Sequence, residues 1–330
     1  MNVGSAVRPG RIWGRNVLHI TALIAVMAGF LAAGFPAGPY SKEQPRVSIT
    51  ARPVAPKRGS LARSNLRVDV RMVLVPVTVS DQRDRPVMDL PVEAFHLHEG
   101  NVEQKIVSLF REEGPISVGF VFDASSSMKK RMDRSMAAIE QFLKSSTKGD
   151  EFFLIRFSDR VNLVQGFTSD PDAILSGLSM VQPDGWTALL DAIYLGVQQM
   201  KSAKHSRKAL FILSDGADNS SRYTESEVAN RIRESDVRVY AVGLFERFRF
   251  LEKLAVETGG KAYLARKMKD LPETVERLSN ELRNQYVLGY YPSNSDKDGK
   301  YRSVRVAVTP PPPLKSLNVG WRHGYYAPSD

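Results

Sequence analysis

Residues 116–128, ISVGFVFDASSSM, carry the clearest fold signal in this 330-residue chain. Its first seven residues are mostly apolar and have the length of a strand buried on both faces. Oxygen-bearing side chains follow, and then Met132, Ile139 and Phe142 recur at helical spacing. The pattern predicts a buried strand, a polar loop and an amphipathic helix in succession.

The same succession is repeated through the middle of the chain. Further apolar runs are EFFLIRF (151–157), KALFILSD (208–215) and VRVYAVGL (237–244), and the helical stretches between them include TALLDAIYLGVQQMKS (187–202) and ESEVANRIRES (225–235). Strands that are hydrophobic on both faces and alternate with amphipathic helices predict a mostly parallel sheet covered on both sides. We therefore expect a doubly wound α/β domain over residues 114–284.

Both ends of the chain are predicted to be β. Residues 66–113 begin with the strand-like LRVDVRMVLVPVTVSD and continue into two further short strands around a turn at residues 99–101. Residues 285–328 contain three aromatic and β-branched strands. Neither end alone offers enough strands for a stable sheet. We predict that the two ends pair, so that the α/β domain is inserted into a small β-sandwich-like domain.

The amino terminus predicts export. Residues 1–40 contain no Asp or Glu and carry three arginines before an apolar run at residues 20–35. This order is typical of a cleaved signal peptide or of a signal anchor that keeps residues 20–35 in the membrane, and the sequence leaves both open. Residues 41–65 are punctuated by proline and are predicted to be a flexible linker. The folded part is expected in the periplasm, the cell envelope or the extracellular space.

Composition excludes several classes of site. The chain has no cysteine, so disulfides, thiolate nucleophiles, thiolate zinc sites and iron–sulfur clusters are absent. The formal net charge is +10, but the lysines and arginines are scattered and no nucleic-acid motif accompanies them. We interpret them as a solvated basic face and expect no nucleic-acid partner.

Oxygen side chains occur in three loops that are expected at the carboxyl edge of the sheet, where ligands bind in such folds. The predicted metal ligands are Asp123, Ser125, Ser127, Thr187 and Asp215. Hydroxyls and carboxylates form a hard set that suits Mg²⁺, with Mn²⁺ or Ca²⁺ as alternatives, and that is poor for Zn²⁺. Each loop taken alone also fits helix capping or a simple turn. Asp191 and Asp218 are candidates for orienting the ligands, or have ordinary helix and turn roles.

Three motifs together resemble the von Willebrand factor A family and its metal-ion-dependent adhesion site. They are VGFVFDASSSM (118–128), GWTALLDAI (185–193) and FILSDGADNSS (211–221). The resemblance implies a Rossmann-like fold, hydroxyl ligands from both serines and the threonine, and two aspartates that act directly or through water. It also implies adhesion or complex assembly, in which a partner's Asp or Glu completes the coordination. Trp186 departs from the pattern, since many relatives have Gly before the threonine.

The flanking β segments resemble a bacterial group of exported proteins related to this family. The sequence therefore predicts an exported, divalent-cation-dependent protein-binding module with neither catalytic nor organic-cofactor residues. The alternatives are a structural envelope subunit stabilised by its metal, or a metal-dependent hydrolase. The common nucleotide and acyl-transfer motifs are absent, and no histidine lies in the three loops to activate Ser125.

Overall fold

The computed structural model describes residues 72–215, 218–244, 249–265 and 267–329. The predicted leader and linker, and residues 66–71 of the first β segment, lie outside this part of the chain. No helix within the described residues is long and apolar enough to cross a membrane.

The described residues contain the predicted strands and helices together with further ones that the sequence patterns did not mark. The strands are β1 (Val73–Ser80), β2 (Phe95–Glu99), β3 (Val102–Gln104), β4 (Ile106–Arg111), β5 (Ser117–Asp123), β6 (Glu151–Phe157), β7 (Val161–Thr168), β8 (Lys208–Ser214), β9 (Val237–Leu244), β10 (Ala262–Ala265), β11 (Tyr286–Tyr290), β12 (Tyr301–Val308), β13 (Asn318–Trp321) and β14 (Gly324–Tyr326). The α-helices are α1 (Met132–Lys144), α2 (Pro171–Ser179), α3 (Leu189–Gln199), α4 (Glu225–Arg233), α5 (Arg249–Glu257) and α6 (Leu271–Arg283).

The middle of the chain forms a six-stranded sheet in the order β10-β9-β8-β5-β6-β7. All neighbouring strands are parallel except β6 and β7, which are antiparallel. Side chains alternate across the sheet, so Phe120 and Phe122 lie in one core with residues of α1, α2 and α6, while Val121 lies in the other core with residues of α3, α4 and α5. Each such apolar side chain contributes about 1.5–3 kcal/mol when fully buried. The predicted doubly wound, mostly parallel fold is confirmed.

The two chain ends share a pair of four-stranded sheets, in the orders β13-β1-β11-β4 and β14-β12-β2-β3. In the first, β1 lies between β11 and β13, with Val75 opposite Leu288. In the second, β2 pairs with β12, with Leu97 opposite Val306. These four residues are buried in one core between the sheets. The predicted β-sandwich-like domain, formed by both ends, is confirmed.

Two predicted strands are divided in the structure. The segment after residue 101 forms β3 and β4, which belong to different sheets, and β13 and β14 separate in the same way around Arg322 and His323. A chain that passes from one sheet of a sandwich to the other has to break its strand. The alternation of apolar residues identifies which side chains of a strand are buried, but it does not indicate which sheet the strand joins.

Candidate metal site

Asp123 is the last residue of β5, where the first loop begins, and it is fully buried. Its Oδ1 accepts a hydrogen bond from the Ser125 backbone N–H at 2.8 Å, and its Oδ2 accepts one from the Ser214 hydroxyl at 2.5 Å. Burial raises the pKa of the Asp123 carboxyl, and the hydrogen bonds from these two serines offset only part of the rise. A cation beside this carboxyl would favour its charged form.

Ser125, Ser127 and Asp215 are joined by hydrogen bonds. The two serine hydroxyls lie 3.0 Å apart, and Ser127 Oγ donates to Asp215 Oδ1 at 2.6 Å. The Ser125 side chain makes no capping bond, although it precedes a 3₁₀ helix at Ser126–Lys130. Because β5 and β8 are neighbouring parallel strands, four of the five predicted ligands lie together at one edge of the sheet.

Arg131 is a member of this cluster that the sequence analysis missed. Its guanidinium pairs with the Asp215 carboxylate, and its Nη1 donates to the Ser127 carbonyl oxygen at 3.0 Å. Arg131 stands between the 3₁₀ helix and α1, and it pairs with a residue from a distant loop, so its spacing along the chain gave no signal. One positive charge from the chain therefore lies beside the two buried carboxylates.

Thr187 is held close to the cluster but is not hydrogen-bonded to it. Its backbone N–H donates to Asn219 Oδ1 at 2.8 Å, and its carbonyl accepts from the Asn219 N–H at 3.0 Å. Helix α3 begins two residues later with Ala188 as N-cap, so Thr187 is not the capping residue. Among the described residues, no hydrogen bond joins its hydroxyl to the other four predicted ligands.

Backbone hydrogen bonds tie the threonine loop to the first loop. The Ser126 N–H donates to the Gly185 carbonyl at 3.1 Å, and the Asp184 N–H donates to the Ala124 carbonyl at 2.9 Å. Gly185 has φ +77°, and a Cβ at this position would lie 2.5 Å from Asp159 Oδ1. Glycine is therefore required next to Trp186, whose side chain stands at the rim with 68% of its surface exposed.

Asp191 and Asp218 connect the second loop to the third. Asp191 Oδ1 accepts from the backbone N–H groups of Arg222 at 2.8 Å and Tyr223 at 3.1 Å. Asp218 Oδ1 accepts from the Leu190 N–H at 3.2 Å and from the Ser221 hydroxyl. Both carboxylates thus orient the loops that carry predicted ligands.

The donor set fits a hard divalent cation. The three hydroxyls and two carboxylates are oxygen donors, and both carboxylates are buried. Within the described ranges no group of three or more His, Cys, Asp or Glu side chains is placed to hold a metal. A metal at this edge would therefore depend on the hydroxyls as well as the carboxylates.

Comparisons with known proteins indicate which family the α/β part of the chain is similar to. The family model of the von Willebrand factor type A domain matches residues 118–217. Human inter-alpha-trypsin inhibitor heavy chain H4 is 25% identical over 225 residues, which is 61% of this chain. The match covers only 24% of that heavy chain.

Solved structures with a similar fold include a von Willebrand factor type A protein from Catenulispora acidiphila. It has a TM-score of 0.48 and 12% identity, and the match covers 71% of this chain and 76% of that one. Another is proximal thread matrix protein 1 from the mussel byssus, described with zinc in its metal-ion-dependent adhesion site motif. Its TM-score is 0.47 with 18% identity, over 56% of this chain and 49% of that one. The α/β part of the chain has the von Willebrand factor type A fold.

Proposed function

We propose that this protein is an exported protein-binding module for adhesion or complex assembly that depends on a divalent cation. Domains of this fold commonly mediate contacts between proteins. The cation is Mg²⁺, with Mn²⁺ or Ca²⁺ as alternatives, and a partner's Asp or Glu completes its coordination. The observation that carries the proposal is the hydrogen-bonded cluster of Asp123, Ser125, Ser127 and Asp215 at the carboxyl edge of the sheet.

Each predicted ligand has a defined part in the proposal. The hydroxyls of Ser125, Ser127 and Thr187 would bind the metal directly, and the two aspartates would act directly or through water. The metal supplies an electrophilic centre for a carboxylate oxygen of the partner. Ser214 and Asp218 keep the aspartate loops in position through their own hydrogen bonds.

The charges of the site favour an acidic partner. Asp123 and Asp215 together neutralise a divalent cation, and Arg131 adds one further positive charge beside them. Lys129 and Lys130 are exposed on the 3₁₀ helix that ends just before Arg131. A carboxylate from a partner would therefore meet a net positive surface, which favours both encounter and binding.

Trp186 gives this surface an apolar anchor. Exposed tryptophans are over-represented among the residues that dominate binding energy at protein interfaces. Its neighbour Gly185 is hydrogen-bonded to Ser126, so the indole stands next to the loop that carries two of the proposed ligands. The expected partner site is a carboxylate next to an apolar side chain.

A binding role agrees better than catalysis with the contacts of the serines. The hydroxyl of Ser125 is hydrogen-bonded to Ser127, and Ser127 to Asp215. No histidine is hydrogen-bonded to either hydroxyl within the described residues, so a general base for a serine nucleophile is missing there. We therefore propose that the protein is not an enzyme.

Export completes the proposal and rests on residues 1–40. Cell fractionation should find the protein in the envelope or the medium, and amino-terminal sequencing should distinguish a cleaved leader from a retained anchor. Recovery of most of the protein from the cytosol would contradict export.

Calorimetry tests the metal site. Mg²⁺ or Mn²⁺ should bind to the wild type, bind at least about a hundredfold more weakly to Asp123→Ala, and bind more weakly to Thr187→Ala. Asp133→Ala is the matched control, because Asp133 is exposed on α1 and loses the same charge. Equal metal affinity in wild type and Asp123→Ala would refute the site.

Partner capture separates the binding role from its alternatives. A pull-down from envelope extract should retain a partner with Mg²⁺ and lose it with chelator, and Asp123→Ala should capture nothing under either condition. If chelator lowers the melting temperature but leaves capture unchanged, the metal is structural. Turnover of an ester or phosphoester that disappears in Asp123→Ala would support the hydrolase.

A further inference from the structure

A cavity of about 340 Å³ lies at the amino edge of the six-stranded sheet, opposite the proposed metal site. Arg207 and Lys208 line it where β8 begins, and Arg238 lines it where β9 begins. The facing wall is formed by apolar side chains of β1 and β4, including Leu74 and Phe110. The cavity therefore has a basic wall from the α/β domain and an apolar wall from the β domain.

Cations outnumber carboxylates around this cavity. Arg207, Lys208, Arg238 and Arg322 line it together with Glu112 and Asp236. The carboxylates are already in contact with two of the cations. Arg322 lies 2.9 Å from Asp236, and Arg207 Nε lies 3.9 Å from Glu112. Lys208 and Arg238 are left as excess positive charge.

Arg238 is the decisive residue. It is only 7% exposed, and its Nη1 and Nη2 are buried without a hydrogen-bond partner among the described residues. The carboxylate of Glu281 is close by, but its ion pair is with Lys261 at 3.4 Å. The hydroxyl of Tyr240, next but one along the same strand, is also buried and lies near the Arg238 guanidinium, but no hydrogen bond of normal geometry joins the two groups. A buried guanidinium with no anion is costly, so such groups are normally paired.

The contacts and the pKa of Arg207 reflect the same excess of positive charge. Its Nη1 donates to the Gly114 carbonyl at 2.8 Å and its Nη2 to the Leu282 carbonyl at 2.7 Å. Burial lowers the pKa of Arg207, Glu112 opposes that shift, and the neighbouring charge of Arg238 lowers the pKa further. An anion in the cavity would relieve this repulsion.

We propose that this cavity binds a small amphipathic carboxylate. The carboxylate group pairs with the charge of Arg238, the most buried of the cations that line the basic wall and one that has no ion pair within the described part of the chain. The apolar body lies against Leu74 and Phe110, which are 49% and 45% exposed. The volume falls within the range of small-molecule sites, and such sites occur preferentially where two domains meet. Because both domains line the cavity, binding should also stabilise their packing.

Melting and calorimetric titrations of the full chain test the site, with sodium octanoate as the probe. Octanoate should bind saturably and raise the melting temperature, whereas uncharged 1-octanol at the same concentration should give neither effect. Arg238→Met should weaken octanoate binding by about tenfold or more, as expected for loss of a charged hydrogen-bonded pair. Arg134→Met is the matched control, because Arg134 is an exposed arginine of α1.

Two further measurements separate binding from a structural role. Without ligand, Arg238→Met should melt no lower than the wild type, since it removes a buried charge that has no partner. Phe110→Glu, a change on the apolar wall at a half-exposed position, should also weaken octanoate binding and leaves Arg238 intact. It provides the test if Arg238→Met does not fold.

Three results would overturn the proposal. Octanoate and octanol could act alike, which would make the charge irrelevant. Arg238→Met and Arg134→Met could bind octanoate equally, which would remove Arg238 from the site. Inorganic phosphate could bind while octanoate does not, which would show that the apolar wall takes no part in binding.

Discussion

The two edges of the six-stranded sheet hold their buried charges in different ways. At the carboxyl edge, Asp215 is paired with Arg131, and Asp123 accepts hydrogen bonds from Ser125 and Ser214. At the amino edge, the Nη1 and Nη2 atoms of Arg238 are buried without a hydrogen-bond partner among the described residues. The difference shows that burial alone does not define the role of a charge. A charge bonded on several sides can serve the fold, whereas a buried charge without a partner indicates a place for a ligand.

The amino edge also contains a buried charge that is hydrogen-bonded on several sides. Asp150 is 1% exposed; its Oδ1 accepts from the Ile116 N–H at 2.9 Å and its Oδ2 from Arg283 at 2.8 Å. Asp150 can be compared directly with Arg238, because both side chains lie near Arg207. The Asp150 carboxylate has hydrogen-bond partners, whereas the Arg238 Nη atoms have none among the described residues.

The largest effect is expected when the β domain loses the strands that the carboxyl end of the chain contributes. Deletion from Tyr286 onward removes β11 to β14 and leaves β1 and β2 without their paired strands. Val75, Val77 and Leu97 would then be exposed, and the chain should aggregate. Residues 114–284 expressed alone should fold and bind Mg²⁺, since they contain every proposed metal ligand.

Residues 66–113 alone should stay disordered, because their apolar faces would have no partner sheet. NMR spectra of the two fragments provide the measurement. A well-dispersed spectrum of residues 66–113 would contradict the dependence of the β domain on both chain ends.

Asp150→Asn should lower the free energy of unfolding by about 2 kcal/mol at pH 7, because it removes the charge partner of Arg283, whose side chain is only 17% exposed. Burial by itself raises the pKa of Asp150, but the hydrogen bonds from Arg283, Thr147 and Ile116 outweigh it and hold the pKa below the ordinary value of 3.8. The folded chain then binds fewer protons than the unfolded chain in this range. The stabilisation is therefore present above pH 3.8 and is lost as the pH falls through the lowered pKa.

Urea unfolding of wild type and Asp150→Asn between pH 7 and pH 2.5 checks this prediction. The difference between the two proteins should shrink toward acid. Asp133→Asn, at an exposed position on α1, should change stability by no more than about 0.5 kcal/mol at any pH. A difference for Asp150→Asn that does not vary with pH would mean that its charge is not the source of the stability.

Trp186→Ala should weaken capture of the Mg²⁺-dependent partner by about 2 kcal/mol, as expected for an aromatic anchor in a protein interface. Metal affinity should stay unchanged, because no predicted metal ligand is altered. Pull-down yield and calorimetry with Mg²⁺ measure the two quantities separately. Trp186→Phe should keep part of the capture, and full capture by Trp186→Ala would remove the indole from the proposed interface.

Arg131→Gln should give the smallest effect, a rise in Mg²⁺ affinity of about tenfold. The substitution removes a positive charge that lies on Asp215, and a divalent cation would otherwise be repelled by it. Lys130→Gln is the control, since it removes an exposed charge from the neighbouring position and should change affinity less. If Arg131→Gln binds metal more weakly, the arginine positions Asp215 for the metal and does not oppose it.

Much of the candidate metal site could be predicted from the sequence because its residues follow regular elements. Asp123 ends a strand, Asp215 follows one, and parallel neighbours bring both to the same edge. Arg131 could not be predicted in this way, because it lies between two helices and pairs with Asp215 from a distant loop. The amino edge was not predictable in the same way, since Arg238 stands in an apolar strand and its neighbours come from distant segments.

Sequence patterns were sufficient to predict the alternation of strands and helices, the buried face of each strand and the order of the three loops. These properties depend on periodicities of two and of about 3.6 residues, which are local and can be counted along the chain. Three features emerged only from the folded arrangement: the sheet that each of β3, β4, β13 and β14 joins, the ion pair of Arg131 with Asp215, and the burial of the Arg238 Nη atoms without a hydrogen-bond partner among the described residues. Each of these depends on which segments meet in space, and a side chain's partners and exposure exist only once the distant segments have packed around it.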